Sequence, residues 1–147
     1  MINIAIIGAS GYTGVEMCSL IHRHTQLNVT GLYVSEGSED KGKDICQLYP
    51  QFVGLFSHQL QPLSNTAIEK IKQECDGVVL ATSHEVSHEL VAQFYQAGLS
   101  VFDLSGAYRF KDGSYIDKYY GFSHQHPELL EQAVYGLAEW NRVAIKQ

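Results

Sequence analysis

The sequence of 147 residues lacks several features that define special classes of protein. Its three cysteines, Cys18, Cys46 and Cys75, are an odd number, lie far apart and include no CxxC pair. This argues against a disulfide framework or a zinc site and favours a reducing cytoplasm. No apolar run approaches the roughly 20 residues of a membrane-spanning helix, and the N-terminal segment MINIA lacks the basic region and cleavage site of a signal peptide. We therefore expect a cytoplasmic protein with no membrane partner.

Positive charge is also scarce, because 10 Lys and Arg residues face 16 Asp and Glu residues, for a formal net charge of −6. A nucleic-acid-binding protein usually presents a basic face, so we expect no nucleic-acid partner. Seven histidines are present, and His124 and His126 form a close pair. That spacing fits neither one helical face nor a common zinc frame, so we expect no metal site. The composition, 45% hydrophobic and 18% charged, is that of one ordinary globular domain.

Short apolar runs alternate with helical patterns along the first two thirds of the chain. Strands are predicted at Ile2–Ile7, Leu27–Val34, 77–81 and 101–104, and a further short strand at 56–60. Strands that alternate with helices connect by right-handed crossovers into a parallel sheet. The predicted fold is therefore an α/β, Rossmann-type, doubly wound and mostly parallel sheet with helices on both faces.

The helices of this pattern have recognisable faces and ends. The inward face of the first helix contains Gly14, Met17, Cys18 and Ile21. Capping boxes are predicted at Thr66 with Glu69 and at Thr82 with Glu85. The inward stripe predicted for the second of these helices, which ends before Gly98, contains Val86, Leu90, Phe94 and Ala97. Beyond Ser105 the sequence is rich in tyrosine, and only Pro127–Gln132 shows a helical pattern.

A glycine-rich turn joins the first strand to the first helix. It has the pattern GxxGxxG and the sequence Gly8-Ala9-Ser10-Gly11-Tyr12-Thr13-Gly14. Glycines at such a turn let the chain reverse tightly, let the backbone approach a pyrophosphate, and let the helix pack against the sheet. The free N–H groups at the helix N-terminus then bind the phosphates. Its place between a strand and a helix favours a dinucleotide site, whereas the alternative is a tight turn that binds nothing.

The choice between NAD and NADP depends on the residues after the second strand. Ser35, Ser38 and Lys43 are able to receive a 2′-phosphate, whereas Glu36 offers a carboxylate to a plain ribose. A solvated loop of mixed charge is a third interpretation. These residues slightly favour NADP.

Two later strand ends carry polar residues on the same predicted edge of the sheet. Thr82 and Ser83 cap the next helix, contact the cofactor or do both, and His84 either faces the reaction centre or is a surface or structural residue. Ser105 follows the next strand as a further cofactor-binding candidate. Arg109 suits an anionic substrate, although a surface ion pair explains it as well.

These motifs, taken in order, resemble those of N-acetyl-gamma-glutamyl-phosphate reductase, a family related to aspartate-semialdehyde dehydrogenase. The resemblance covers essentially the whole chain and includes Gly8 to Glu16, Ser35, Ser38, Gly42-Lys43, Ala81 to Glu85, Asp103 to Arg109, Tyr120 to Phe122, Pro127 to Leu130 and Tyr135 to Glu139.

The resemblance implies reduction of the small-molecule acyl phosphate N-acetyl-glutamyl 5-phosphate by NADPH. In the family a cysteine thiolate attacks the acyl phosphate, phosphate leaves, and hydride transfer to the thioester gives the semialdehyde. NADP is expected at Gly8, Ser10, Gly11, Tyr12, Thr13, Gly14, Ser35, Ser38, Lys43, Thr82, Ser83 and Ser105. The substrate is expected at Arg109 and His84. A homo-oligomer is implied for the parent enzyme.

The family nucleophile lies in a Pro-Gly-Cys motif shortly after the stretch that matches Tyr135 to Glu139, and none of the three cysteines here follows Pro-Gly. We therefore expect residues 1–147 to be the NADP-binding domain, with a catalytic and dimerisation domain after residue 147, and the fragment alone to be inactive. Two alternatives remain at this point, an enzyme of the aspartate-semialdehyde dehydrogenase type and a non-catalytic nucleotide-binding module.

Overall fold

The computed structural model describes residues 1–146 and contains one five-stranded sheet. The strands are β1 (Ile2–Ile7), β2 (Leu27–Val34), β3 (Leu60–Pro62), β4 (Gly77–Leu80) and β5 (Ser100–Asp103). Their spatial order is β3-β2-β1-β4-β5, and every neighbouring pair is parallel. The predicted Rossmann-type fold is confirmed.

Helices cover both faces of this sheet. They are α1 (Tyr12–His22), α2 (Ile45–Leu48), α3 (Asn65–Glu74), α4 (His84–Gln96), α5 (Gly113–Tyr120), α6 (Pro127–Gln132) and α7 (Ala138–Ile145), and a 3-10 turn spans Pro50–Phe52. Side chains alternate across β1, so Ile4 and Ile6 join a core cluster with α1 and α2, whereas Ile7 joins one with α3 and α4. Among residues 1–146, no helix combines the length and apolar character that crossing a bilayer requires.

The predicted bounds of β1, β2 and α6 are confirmed to the residue. The strand predicted at 56–60 is wrong, because the third strand begins only at Leu60. Phe56 turns into the core instead, where its ring packs on those of Phe52 and His22. Aromatic packing therefore overrides the alternating pattern in this segment.

Both predicted capping boxes are wrong, because α3 begins two residues earlier than the pattern indicated and α4 begins one residue later. Helix α3 is capped by Ser64, whose Oγ accepts a hydrogen bond from the Ala67 amide at 3.2 Å. Helix α4 follows Ser83, and the Thr82 hydroxyl is used elsewhere, in a 2.8 Å bond to Ser87 Oγ.

The inward face of α4 also differs from the predicted stripe. Leu90 and Phe94 are buried as expected, but Val86 and Ala97 are exposed. The buried positions include two polar residues, Ser87 and His88, which a search for apolar periodicity does not find. Gly98 ends the helix with φ +86°, as predicted.

Candidate functional site

Two glycines of the turn after β1 are required by close packing. Gly8 has φ +82°, and a Cβ on it would lie 2.2 Å from the carbonyl oxygen of Ala81. A Cβ on Gly14 would lie 2.2 Å from the Gly8 oxygen. The first contact brings the turn against the end of β4, and the second brings α1 against the turn. Both are the approaches that a dinucleotide-binding turn needs.

The third glycine, Gly11, has a different environment. A Cβ there would lie 3.5 Å from the Gly8 oxygen, an ordinary van der Waals distance, and the backbone is extended with φ −78°. The fold itself therefore does not require glycine at this position. A glycine that packing does not require leaves room for a ligand to approach the backbone.

The N-terminus of α1 presents free backbone donors beside Gly11. The helix begins at Tyr12, and no side chain in the described part of the protein caps it. The first amide to bond back into the helix is that of Val15, which donates to the Gly11 oxygen at 2.9 Å. The amides from Tyr12 to Gly14 precede it and point out of the helix end, which suits an anion such as a pyrophosphate.

The turn lies where the strand order of the sheet reverses. β1 has β2 on one side and β4 on the other, and the chain reaches them by crossovers on opposite faces. Ligands of open α/β sheets bind at such a switch point, outside the carboxyl ends of the strands. A concavity of about 660 Å³ lies instead at the amino ends, against Met1, Ile2 and Ser100. Volume alone therefore does not locate this site.

On the β2 side, the loop of residues 35–43 reaches the glycine turn. Lys43 Nζ lies 2.9 Å from Asp40 Oδ1. The Lys43 ammonium lowers the pKa of the Asp40 carboxyl, and the Ser10 hydroxyl adds to this effect. The Tyr49 hydroxyl donates to the Ser10 carbonyl at 2.6 Å and holds the same region together. The structure thus brings Ser10 and Lys43 to a common acid, Asp40, which the sequence analysis missed.

The two serines of this loop shape it. The Ser35 carbonyl accepts from the Ser38 amide at 3.0 Å, and Ser38 Oγ accepts from the Asp40 amide at 3.1 Å. Ser35 is exposed and Ser38 is half-buried. Both therefore lie in the turn that presents Asp40 and Lys43.

The residues after β4 line the glycine turn on the side opposite the loop of residues 35–43. Thr82 Cγ2 lies 3.4 Å from the position of a Cβ on Gly8, whereas Ser83 is exposed. His84 Nδ1 accepts a 2.8 Å hydrogen bond from the Gly106 amide, which fixes a neutral tautomer with the proton on Nε2. Its ring lies 4.3 Å from that of Tyr120. His84 is therefore held between two later segments.

The residues after β5 divide into an anchored and an exposed part. Ser105 Oγ donates to Asp103 Oδ2 at 2.9 Å and is used in a local turn. Arg109 is exposed, and its guanidinium carbon lies 5.8 Å from the centre of the Tyr135 ring. Among the predicted site residues, His84 therefore contacts this segment through the Gly106 amide, and Arg109 Nη2 donates to the Ser105 carbonyl at 3.5 Å.

A histidine cluster lies behind this edge and was not found from the sequence. His88, Glu89 and His126 offer ligand atoms within 4.8 Å of one another. His88 Nε2, however, accepts from the Gln125 amide at 2.9 Å, so Nδ1 carries the proton and faces Glu89 Oε1 at 3.0 Å. Both ring nitrogens are engaged, so the cluster is arranged as a hydrogen-bonded anchor.

The three cysteines are free thiols within the described structure. Burial raises the pKa of Cys18 to about 12, and burial also raises the pKa of Cys46 and of Cys75. A thiolate, not a thiol, is the nucleophile in acyl transfer. The expectation that none of these residues replaces the family nucleophile agrees with these environments.

Comparison with known proteins identifies the family. The model for "Semialdehyde dehydrogenase, NAD binding domain" matches residues 3–147. N-acetyl-gamma-glutamyl-phosphate reductase of Shewanella frigidimarina is 58% identical over all of this chain and 45% of its own length. That of Shewanella denitrificans is 60% identical over 99% of this chain and 44% of its own length. The chain thus spans less than half the length of these curated relatives.

Solved structures agree on the fold. Aspartate semialdehyde dehydrogenase II of Vibrio cholerae superposes with a TM-score of 0.58 at 22% identity, over 75% of this chain and 30% of that protein. The glycine turn, the switch-point topology and the match over nearly the whole sequence lead to one conclusion: the chain belongs to the semialdehyde dehydrogenase family, as its NAD-binding domain.

Proposed function

We propose that this chain is the nucleotide-binding domain of an N-acetyl-gamma-glutamyl-phosphate reductase, an enzyme that uses NADPH to reduce N-acetyl-glutamyl 5-phosphate to the semialdehyde and releases phosphate. The observation that carries the proposal is the uncapped N-terminus of α1 beside Gly11, at the switch point of the sheet. Identity of 58–60% to reductases of that name supports the choice of substrate.

The cofactor contacts that we propose follow from this placement. The free amides of Tyr12, Thr13 and Gly14 bind the pyrophosphate, and Gly8, Ser10 and Gly11 form the turn that it approaches. Ser35, Ser38 and Lys43 bind the adenosine end, and the ammonium of Lys43 favours the 2′-phosphate of NADP. Thr82, Ser83 and Ser105 line the side that leads towards the nicotinamide, because they follow β4 and β5. When bound, NADPH supplies the hydride.

The substrate contacts belong to the β5 side of the site. We propose that Arg109 binds an anionic group of the acyl phosphate, since its guanidinium is exposed and its planar fork suits a phosphate or carboxylate. His84 presents a neutral Nε2–H to the same side, because Nδ1 is occupied by the Gly106 amide. It is therefore a donor to the substrate.

The catalytic cysteine and the dimerisation surface belong, in this proposal, to the part of the longer relatives that this chain does not span. Apolar side chains on α7 support a covering by further protein, since Trp140 is 86% exposed and Val143 is 75% exposed. We propose a cytoplasmic homo-oligomer for the longer protein. The three free thiols are consistent with a reducing compartment.

A pair of glycine variants tests the cofactor site. Gly11→Ala adds one methyl group to the proposed pyrophosphate cradle without a steric conflict in the free protein. Gly136→Ala adds the same group where the ideal Cβ meets no atom of the described chain within 4 Å. Calorimetric titration with NADPH is expected to show binding to the wild type and to Gly136→Ala, and binding weakened at least about tenfold by Gly11→Ala. Equal affinity in all three proteins would refute the placement, provided that their thermal midpoints agree.

A further inference from the structure

An ion pair stands at the place where the proposed function puts the adenosine ribose. Lys43 Nζ and Asp40 Oδ1 are 2.9 Å apart, and both side chains are partly exposed, by 42% and 31%. They lie three residues apart in the loop after β2, so the loop itself holds them together. Lys43 is therefore not an unpaired cation in the free protein.

Asp40 lies near the glycine turn as well as beside Lys43. The Ser10 hydroxyl contributes to lowering the pKa of Asp40, after the larger effect of Lys43, so this carboxylate is charged and lies beside the turn. Its charge also acts on Tyr49, whose hydroxyl donates to the Ser10 carbonyl at 2.6 Å. Asp40 is thus an anion near the proposed pyrophosphate cradle and in direct contact with the cation proposed for the 2′-phosphate.

A fixed anion at this position affects the two dinucleotides in opposite ways. A 2′-phosphate brings negative charge next to the carboxylate and must compete with it for Lys43. A ribose with a free 2′-hydroxyl instead finds a carboxylate that accepts its hydrogen bond, as acids do in NAD sites.

We propose that Asp40 is a specificity-determining residue that limits the preference of this site for 2′-phosphorylated nucleotides by neutralising Lys43. The inference rests on the proposed function, because it requires that a dinucleotide bind at the glycine turn. In this proposal the Asp40–Lys43 pair, and not Lys43 alone, determines the preference between NADP and NAD.

The experiment uses the two adenosine halves of the cofactors as probes. Calorimetric titrations of the whole chain with 2′,5′-ADP and with 5′-ADP are compared for the wild type, Asp40→Asn and Lys43→Gln. Asn keeps an acceptor for the Lys43 ammonium and removes only the charge. Glu69→Gln is the matched control, since Glu69 pairs with Lys72 at 2.7 Å with the same spacing on α3, away from the turn.

Asp40→Asn is expected to tighten 2′,5′-ADP binding about threefold to tenfold, an effect typical of one partly screened charge. It should leave 5′-ADP binding unchanged or weaker, while Lys43→Gln weakens 2′,5′-ADP and Glu69→Gln changes neither. Addition of salt should reduce the effect of Asp40→Asn. Weaker 2′,5′-ADP binding to Asp40→Asn, or an equal change for both ligands, overturns the role of Asp40. If the wild type binds neither probe, the proposed function itself is overturned.

Discussion

Acidification is expected to weaken the fold through the buried His88 and the half-buried His124, which both act as neutral hydrogen-bond acceptors. His88 Nε2 accepts from the Gln125 amide at 2.9 Å, and His124 Nδ1 accepts from the His126 amide at 3.1 Å. A proton added to either nitrogen would place one N–H against another. The segment of residues 122–126 would then lose its attachment to α4.

The pKa shifts agree with this geometry. Burial, followed by the neighbouring His88 and His126, lowers the pKa of His124 from 6.5 to about 4, and burial lowers that of His88. His124 Nε2 is also buried with no hydrogen-bond partner among residues 1–146. The charges around this pair come from Glu89 on α4 and from His126 and Glu128 on the later segment. Those carboxylates oppose the shifts but do not reverse them.

The sign of the pH effect follows from the lowered values. Between about 4 and 6.5 the unfolded chain binds more protons than the folded chain, so the free energy of unfolding falls as the pH falls. For His124 alone, linkage gives about 2 kcal/mol lost between neutral pH and about pH 5, and about 1 kcal/mol after allowance for solvent screening. The stability is fully present above the unfolded value of 6.5.

Urea unfolding at about pH 7.5 and about pH 5 measures this loss for the wild type and for His124→Asn. Asn keeps an acceptor for the His126 amide but does not titrate, so the variant should lose about 1 kcal/mol less than the wild type on acidification. His24→Asn is the control, because the exposed His24 also accepts a backbone N–H, from Gln26 at 3.2 Å. An unfolding free energy that is the same at both pH values in the wild type, or that falls equally in His124→Asn, would refute the reasoning.

Three further predictions concern the turn, a helix cap and the thiols. Gly8→Ala should destabilise the fold by at least about 2 kcal/mol in thermal unfolding, because the new Cβ would lie 2.2 Å from the Ala81 oxygen at φ +82°; a smaller loss would mean that the turn is not closely packed. Ser64→Ala should lower the free energy of unfolding by about 1 kcal/mol and Thr66→Ala by less than about 0.5 kcal/mol, because Ser64 is the cap of α3. A larger loss for Thr66→Ala would support the predicted capping box instead. Cys18 is fully buried with a pKa of about 12, so mass spectrometry should find it unmodified after iodoacetamide treatment of the folded protein and modified in urea; rapid labelling in the folded state would contradict its burial.

The features that local sequence dictates were predictable. The run from Ile2 to Ile7 followed by the glycine pattern indicated both the first strand and the turn, because glycine spacing and apolar runs reflect constraints within a few residues. Helix α5 was not predicted, although its end signals are present in the sequence. Asp112 accepts from the Ser114 amide at 2.9 Å at its start, and Gly121 follows its end with φ +79°.

The remaining parts depend on contacts between distant residues. His88 and Gln125 are 37 positions apart, and the Gly106 amide is 22 positions from His84, so neither pairing leaves a periodic pattern. Asp40 lies in a polar loop that also contains Glu36 and Glu39, and nothing in the sequence distinguishes it from these acids. Helix α7 has no buried residue among those described, so packing within this domain does not specify it.

A polar residue buried on α4 affects how precisely this helix is positioned at the carboxyl edge of the sheet. Ser87 is fully buried, and its hydroxyl is hydrogen-bonded to that of Thr82. If α4 rotated or shifted against the sheet, this buried hydroxyl would lose its partner. Apolar contacts alone would tolerate small rotations of the helix about its axis or slips along it. The Ser87–Thr82 hydrogen bond disfavours such movements. It therefore fixes the orientation of α4, and with it the position of His84 just after β4.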